Sequence, residues 1–186
     1  HFNNITLDCD QVDMSAHKWT PLGNNQNHFE GTITGIRRGD GADPVINNLV
    51  VNEKTLPLVG MFGYTDHANI SGFTVNGSRM RGNMYVGSLI GEASGSTTLD
   101  ISLKDNLLFG EYVMGGGIAK AESGTVNSVN VENVTLIGNA IYAGGLVGYM
   151  SENSIINSTV QQTIDASQFD RSKLSAVFYG GLWGYN

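Results

Sequence analysis

The sequence is poor in cysteine, proline and charge. Its single cysteine cannot close a disulfide within the chain, so a small disulfide-stapled fold is excluded. Ten lysines and arginines against seventeen aspartates and glutamates give a formal charge of −7, which opposes binding to nucleic-acid phosphates. No apolar run reaches the roughly 18 residues of a membrane-spanning helix. Helical periodicity is nearly absent, and only 166–174 has a mild helical pattern, for which we expect one turn inside an insertion.

Glycine and short alternating stretches are what the sequence does have. Glycine occurs 25 times, and asparagine is also frequent. The stretches 32–34, 73–75, 101–103 and 129–131 alternate apolar and polar residues, which is typical of short strands with one buried face. Glycine and asparagine both tolerate left-handed backbone, so we expect them at sharp corners between these strands.

A glycine-flanked apolar tetrad recurs along the chain. We mark each tetrad by its second residue and obtain steps of 28, 29, 28 and 36 residues. A second series of strand residues gives steps of 24, 28, 28 and 29, and the longer last step of the first series falls on the expected insertion. The tetrads are Gly60-Met61-Phe62-Gly63, Ser88-Leu89-Ile90-Gly91, Gly117-Ile118-Ala119-Lys120, Gly145-Leu146-Val147-Gly148 and Gly181-Leu182-Trp183-Gly184, and the second series is Val51, Val75, Leu103, Val131 and Val160.

A repeat near 28 residues without helix predicts the fold. It is too short for a propeller blade of roughly 40–45 residues, and it suits one coil of a β-helix. We therefore predict an all-β chain folded as a right-handed parallel β-helix of about five coils. Residues 1–45 depart from the period and are expected to form a first coil or cap, with repeats over 46–186. We also expect the chain to be a fragment of a longer protein.

The tetrads resemble the GLUG repeat, named for Gly-Leu-hydrophobic-Gly. Two tetrads, 145–148 and 181–184, match it fully, and 60–63 and 88–91 match it with one substitution each. The tetrad 117–120 departs at Lys120, where we expect a different turn or an outward bulge. GLUG repeats occur in bacterial secreted and surface proteins, including adhesins and immunoglobulin-A-cleaving peptidases.

The N-terminal stretch resembles the segment that opens such arrays. The elements that carry this likeness are 7–10, 19–23 and 29–35. The resemblance implies a β-helix at an extracellular or cell-surface location, and it transfers no catalytic residue. The zinc signature His-Glu-x-x-His of the peptidases is missing, and His17, His28 and His67 are expected to be scattered without forming a ligand set.

Two candidate sites lie near the N-terminus. Cys9 shares a strand face with apolar residues, so we interpret it as a small core residue. Asp8 and Asp10 share the opposite face. Paired acids of this kind could serve glycoside hydrolysis or bind Ca²⁺, and a solvated outer face is the simpler interpretation.

The loop 39–43 offers a weak binding candidate. Its acids Asp40 and Asp43 could hold Ca²⁺, although they are too few for a known calcium loop and a tight turn is favoured. Arg38, Gly39 and Asp40 also spell the tripeptide that integrin ligands use, and we take it as a hint that needs loss of cell attachment on Asp40→Ala.

Four large residues precede their tetrad markers by four positions. They are Tyr85, Met114, Tyr142 and Phe178. Stacked coils would align them in one column, and the even offset favours a core position. If the column faced outward, it would form a platform for sugar rings or for another protein.

The functional prediction is a non-catalytic structural or adhesive module without a cofactor. Its expected partners are a host protein, a glycan or neighbouring modules of the same chain, and nucleic acid is not among them. Two alternatives stay open. One is a polysaccharide-active enzyme, which the four aspartates above do not assemble, and the other is an accessory repeat region of a secreted peptidase.

Overall fold

The computed structural model describes residues 4–39, 41–165 and 178–185, and in these residues it contains strands and no helix. The helical turn expected at 166–174 lies outside the described residues. No described helix is long and apolar enough to span a membrane. The strands are β1 (Asn4–Leu7), β2 (Gln11–Asp13), β3 (Thr32–Gly35), β4 (Val45–Asn47), β5 (Val50–Asn52), β6 (Leu58–Val59), β7 (Phe62–Asp66), β8 (Asn69–Asn76), β9 (Arg79–Arg81), β10 (Tyr85–Gly87), β11 (Ile90–Ser94), β12 (Thr97–Lys104), β13 (Leu107–Gly110), β14 (Val113–Gly115), β15 (Ile118–Gly138), β16 (Tyr142–Gly144), β17 (Val147–Ile156), β18 (Thr159–Asp165), β19 (Phe178–Gly180) and β20 (Trp183–Tyr185).

All the strand pairs given by the structure are parallel, and they stack as the turns of a β-solenoid. One sheet of five strands runs in the order β19-β16-β14-β10-β6, and a larger sheet of fifteen strands carries the other ladders. The longest ladder aligns six strand residues, one from each of six turns, one above another. The predicted β-helix is thus confirmed, with about six turns. The six aligned residues are Asn4, Thr32, Asn69, Thr97, Thr125 and Ser154.

The period near 28 is confirmed, but two markers of the sequence series were off register. Val51 pairs with Met80, whereas Ile46 pairs with Val75, so the anomalous step of 24 becomes a step of 29. In the tetrad series, Ile118 pairs with Ile90 and with Val147. It therefore occupies the third tetrad position, and Gly117 takes the second.

Left-handed residues recur at three corners of each turn. Their φ angles lie between 47° and 73°, and the residues of one corner follow one another at 28 or 29 positions. The expectation that glycine and asparagine mark the corners is confirmed, although serine, aspartate, histidine and glutamate also take such positions. The three corner columns are His67, Gly95, Ser123 and Glu152; Gly72, Asp100, Ser128 and Asn157; and Asn48, Gly77, Asp105 and Asn133.

The described interior is mainly apolar, with one side chain above the next. Val75, Leu103 and Val131 are fully buried in one such column. A buried amide secures one corner, because Asn106 accepts from the backbone N–H of Ser78 at 2.8 Å and donates to the carbonyl of Val75 at 3.2 Å. Such satisfied polar groups fix the corner without a desolvation penalty.

The N-terminal residues belong to the same stack. β1 pairs with β3, and β2 pairs with β4, so 4–35 forms turns of the solenoid. These turns are less buried, since all three residues of β2 are exposed. Cys9 follows the end of β1 and is only half-buried, and it is not among the residues of the apolar core, so its interpretation as a core residue is corrected.

Candidate functional site

One outer face of the solenoid carries a column of large polar and aromatic side chains. In the hydrogen-bonded register, the residue that directly follows each tetrad points outward, and these residues align from turn to turn. Neighbouring turns are separated by about 4.8 Å, so these side chains are in van der Waals reach of one another. The column consists of Tyr64, Glu92, Lys120, Tyr149 and Tyr185.

Four rings of this face and its neighbouring sheet form a contiguous aromatic cluster, which comprises Tyr142, Tyr149, Phe178 and Tyr185. Tyr142 stacks on Phe178 with centroids 5.4 Å apart, and Tyr149 stacks on Tyr185 at 5.4 Å. Edge and tilted contacts of 5.1–5.7 Å join the two stacks. Phe178 and Tyr185 are each 40% exposed, so the aromatic cluster presents apolar ring surface to solvent.

The column predicted from the four large residues is corrected here. Tyr85 aligns with Val113, Tyr142 and Phe178, and its aromatic members lie on the outer face instead of in the core. Met114 belongs to the neighbouring inward position and is fully buried. The error arises because each of these aromatic residues lies in a short strand that a bend separates from the strand containing the rest of the tetrad, so the period-two rule does not carry an even offset across the bend. For Met114 the offset was also counted from the shifted marker Ile118.

Lys120 is the charged centre of this face. Its ammonium donates to Glu92 and to Glu122 at 2.8 Å each, and it lies 5.5 Å from the ring centroid of Tyr85. Burial alone lowers the pKa of Lys120, but the hydrogen bonds to Glu122 and Glu92 outweigh it and raise the pKa above its ordinary value. Burial also raises the pKa of the Tyr85 phenol. The lysine is therefore a fixed cation and a poor base at neutral pH.

A concave site of about 280 Å³ lies between this charged centre and the aromatic cluster. Its phenol rings supply stacking surfaces, and Lys120 with Glu122 supplies a donor and an acceptor. Such a mixture of apolar walls and a few placed polar groups is typical of ligand sites, and this one lies near the lower end of their usual size. The lining residues are Tyr85, Tyr112, Val113, Lys120, Glu122, Tyr142 and Tyr149.

The tetrad residues shape the turn beneath this face. Met61, Leu89 and Leu146 are buried, and Leu182 is half-buried. The glycines allow close approach of backbones: a Cβ on Gly91 would lie 2.8 Å from the carbonyl oxygen of Gly63. Similar approaches hold at Gly60, Gly148 and Gly184, whereas Gly181 has open space beside it.

The aligned register also explains the tetrad that departs from the pattern. With Ile118 at the third position, Ala119 takes the place of the last glycine, and Lys120 falls in the outward column. The expected different turn or bulge at Lys120 is not found, since β15 pairs with β11 in continuous register there.

The acidic candidates near the N-terminus are engaged by arginines. Arg38 contacts Asp8 at 2.7 Å and Asp10 at 3.5 Å, with both carboxylates largely exposed. Asp43 pairs with Arg37 at 2.5 Å. These ion pairs fit the solvated outer face expected for Asp8 and Asp10.

The tripeptide candidate is described only in part. Gly39 is exposed with open space around it, and Asp40 lies outside the described residues. Arg38 is already occupied by the two aspartates, so the described part of the loop 39–43 adds nothing to the integrin hint.

Of the three histidines expected to be scattered, the structure brings two to one carboxylate. His28 and His67 both contact Asp66, at 3.6 Å and 2.6 Å. The contact of His28 could not be predicted from spacing, because His28 lies outside the regular repeat, whereas His67 is the neighbour of Asp66 in the sequence.

A larger cavity of about 340 Å³ lies between the loop 20–26 and 56–58, with a lining of amide, backbone and apolar groups that contains no titratable side chain. The surface formed by the aromatic cluster, Lys120 and Glu122, called the aromatic face below, offers both rings and charged groups. It is therefore the better candidate for specific recognition.

Comparison with protein-family models, with curated proteins and with solved structures finds no match to this chain. The site is accordingly interpreted from its own geometry.

Proposed function

We propose that this chain is a non-catalytic adhesive module of a secreted or cell-surface bacterial protein, and that its aromatic face attaches to glycans. The observation that carries the proposal is the aromatic cluster beside the Lys120 ion-pair centre, held in two adjacent columns by the parallel register. The solenoid itself acts as the rigid support for this face.

Solvent-exposed rings in contact with one another favour a binding role. A contiguous exposed apolar patch with a polar rim marks an interaction surface more often than scattered single residues do. Here Phe178 and Tyr185 are exposed while their ring partners Tyr142 and Tyr149 are half-buried. The rings are therefore fixed before a ligand arrives, which lowers the entropic cost of binding.

The charged centre favours a sugar over a purely apolar partner. A sugar ring offers a C–H face that stacks on a phenol ring and hydroxyl groups that exchange hydrogen bonds. Lys120 and Glu122 stand at the edge of the same concave site and can donate to and accept from such hydroxyls. The net charge of −7 further favours a neutral or cationic ligand over a polyanion.

The same centre disfavours a polysaccharide-active enzyme. A lyase or hydrolase needs a group that takes or gives a proton near neutral pH. The pKa of Lys120 is raised, and Glu92 and Glu122 both accept its hydrogen bonds. The arrangement is that of a fixed ionic contact.

The location belongs to the proposal and rests on the GLUG-like tetrads. Tetrads such as 145–148 match the repeat of bacterial surface and secreted proteins, and this resemblance supports an extracellular role. A stalk, or an accessory region of a secreted peptidase, would use the same solenoid without using the aromatic face.

A glycan array followed by calorimetry tests the proposal. We expect the wild type to bind at least one glycan class and Tyr149→Ala to weaken that binding at least about tenfold, since stacking on one ring contributes about 1–3 kcal/mol in comparable sites. Tyr149→Phe keeps the ring and should retain most of the affinity. Leu99→Ala removes an exposed apolar residue away from this face and should change nothing.

An array without any bound glycan would contradict the adhesive role and leave the stalk. Equal affinities for the wild type and Tyr149→Ala would place the binding elsewhere on the surface.

A further inference from the structure

A second cluster of ligand-type side chains lies three turns of the solenoid away from Tyr149 of the aromatic cluster. We propose that His28, Glu30 and Asp66 form a site for a divalent transition ion, of which Zn²⁺ is the probe. Among the residues described by the structure, this is the group whose imidazole nitrogen and carboxylate oxygens come together, all within 4.8 Å of one another. The inference is independent of the glycan proposal.

The backbone brings the three residues to one face. Phe29 is buried and packs on Phe62 with ring centroids 5.0 Å apart, so its neighbours His28 and Glu30 point outward together. The Phe29 N–H donates to the carbonyl of Tyr64 at 3.0 Å, and the Phe29 carbonyl accepts from the Asp66 N–H at 3.0 Å. Two turns of the solenoid therefore hold the ligands in fixed register.

The side chains are oriented as well as adjacent. The imidazole of His28 stacks on the ring of Tyr64, with centroids 4.1 Å apart and planes inclined by 20°. Asp66 directs one oxygen to Nδ1 of His28 at 3.6 Å, and its other oxygen contacts Nδ1 of His67 at 2.6 Å. His67 thus acts as a positioning residue that leaves the first oxygen facing His28, as outer partners do around metal ligands.

The distances suit a small ion. Zinc–nitrogen and zinc–oxygen bonds of about 2.0–2.2 Å imply ligand separations of roughly 3.3–3.5 Å in a tetrahedron. The separation between His28 and Asp66 is already 3.6 Å. Glu30 is exposed and can close the remaining gap by side-chain rotation.

The donor set selects the class of ion. One imidazole with two carboxylates suits zinc and similar transition ions, whereas Ca²⁺ requires six to eight oxygen ligands. Water would complete the fourth position on the solvent side, since His28 and Asp66 are still 31% and 29% exposed. Two carboxylates also match the charge of a divalent ion.

Calorimetric titration of the metal-free, tag-free wild-type chain with ZnCl₂ tests the site. We expect one bound Zn²⁺ per chain and a higher unfolding midpoint with Zn²⁺ present. Co²⁺ should give the intense visible absorption of tetrahedral coordination. His28→Ala should weaken Zn²⁺ binding by more than about tenfold, as loss of a ligand exceeds loss of an outer partner.

A second ligand variant and a control variant complete the test. Glu30→Gln alters an exposed side chain, so it tests the site even if His28→Ala misfolds, and it should also weaken binding. His17→Ala removes another exposed histidine and should bind as the wild type does. Absence of Zn²⁺ binding by the wild type, or wild-type affinity in Glu30→Gln, would overturn the proposal.

Discussion

The regular turns over 58–165 and the N-terminal turns over 4–57 belong to the same ladders, but the number of residues between aligned positions differs. In the regular part every step between aligned residues is 27, 28 or 29. In the N-terminal part, Thr32 pairs with Asn69 and Leu22 pairs with Phe62, so steps of 37 and 40 occur. The extra residues leave the stack as loops between strands.

This difference separates the two candidate sites. The regular turns repeat one backbone, so their outward side chains form continuous columns such as the one through Lys120. The irregular steps bring in groups that no repeat supplies, and His28 and Glu30 arrive on one of them. The aromatic face thus lies on regular turns, whereas the proposed metal site uses residues from a turn of irregular length.

The largest expected effect is a loss of stability on shortening a core leucine, and it should differ between the two regions. Leu103 is fully buried between two turns, so Leu103→Ala should lower the free energy of unfolding by about 2–5 kcal/mol. Leu7 is half-buried in the first turn, and Leu7→Ala should cost distinctly less. Urea unfolding followed by circular dichroism measures both, and equal losses would break the comparison.

A smaller effect is expected at a tetrad glycine. A Cβ on Gly145 would overlap the carbonyl oxygen of Gly181, so Gly145→Ala should cost about 1–3 kcal/mol through overpacking. Gly39 in the N-terminal loop and Gly181 in the last turn have nothing within 4 Å of that position. Alanine there should be neutral in the same unfolding assay, and a loss at Gly181 similar to that at Gly145 would contradict the backbone-contact explanation.

The smallest effect concerns ion pairs, of which Lys120–Glu92 and Lys18–Glu53 join successive turns. Lys120→Met removes a half-buried contact with Glu92 and a more exposed one with Glu122, and it should lower stability by about 0.5–1.5 kcal/mol at pH 7. Lys18→Met removes an exposed N-terminal pair with Glu53 and should cost about 0–1 kcal/mol.

The stability difference between the wild type and Lys120→Met is predicted to depend on pH. Burial alone lowers the pKa of Lys120, but its acid partners raise it above the ordinary 10.5, so the folded state holds the proton more tightly than the unfolded state does. The stabilisation is complete below pH 10.5 and declines as pH rises from there through the raised pKa. The difference between wild type and Lys120→Met should therefore narrow above pH 10.5, and a widening would show that the sign is wrong.

The fold could be predicted because each turn needs glycines at its close backbone contacts and apolar residues at its inward positions, and this pattern repeats in the sequence. Glycine at the tetrads and apolar residues at alternate positions gave the period and the parallel stack. The register within a turn was less accessible. Gly117 and Ile118 offer two ways to place a glycine-flanked tetrad, and only the hydrogen-bonded pairing of Ile118 with Ile90 decides between them.

The candidate sites were predictable only in part. The aromatic column could be found from spacing, but its outward direction could not, because a bend between the short strand and the tetrad interrupts the alternation of inward and outward residues. The contact between His28 and Asp66 joins residues across a step of irregular length, where the period gives no position. Distances across such loops follow from the packing of Phe29 on Phe62, which spacing does not reveal.

Disulfide trapping tests the register on which the outward columns depend. In a Cys9→Ser background, Ser94→Cys with Glu122→Cys joins residues that the structure places side by side, about 4.8 Å apart and within bridging distance. Ser94→Cys with Ser123→Cys instead matches the register obtained by aligning Ile118 with Leu89. The account predicts rapid oxidation of the first pair and a reduced second pair. Preferential oxidation of the second pair would contradict it.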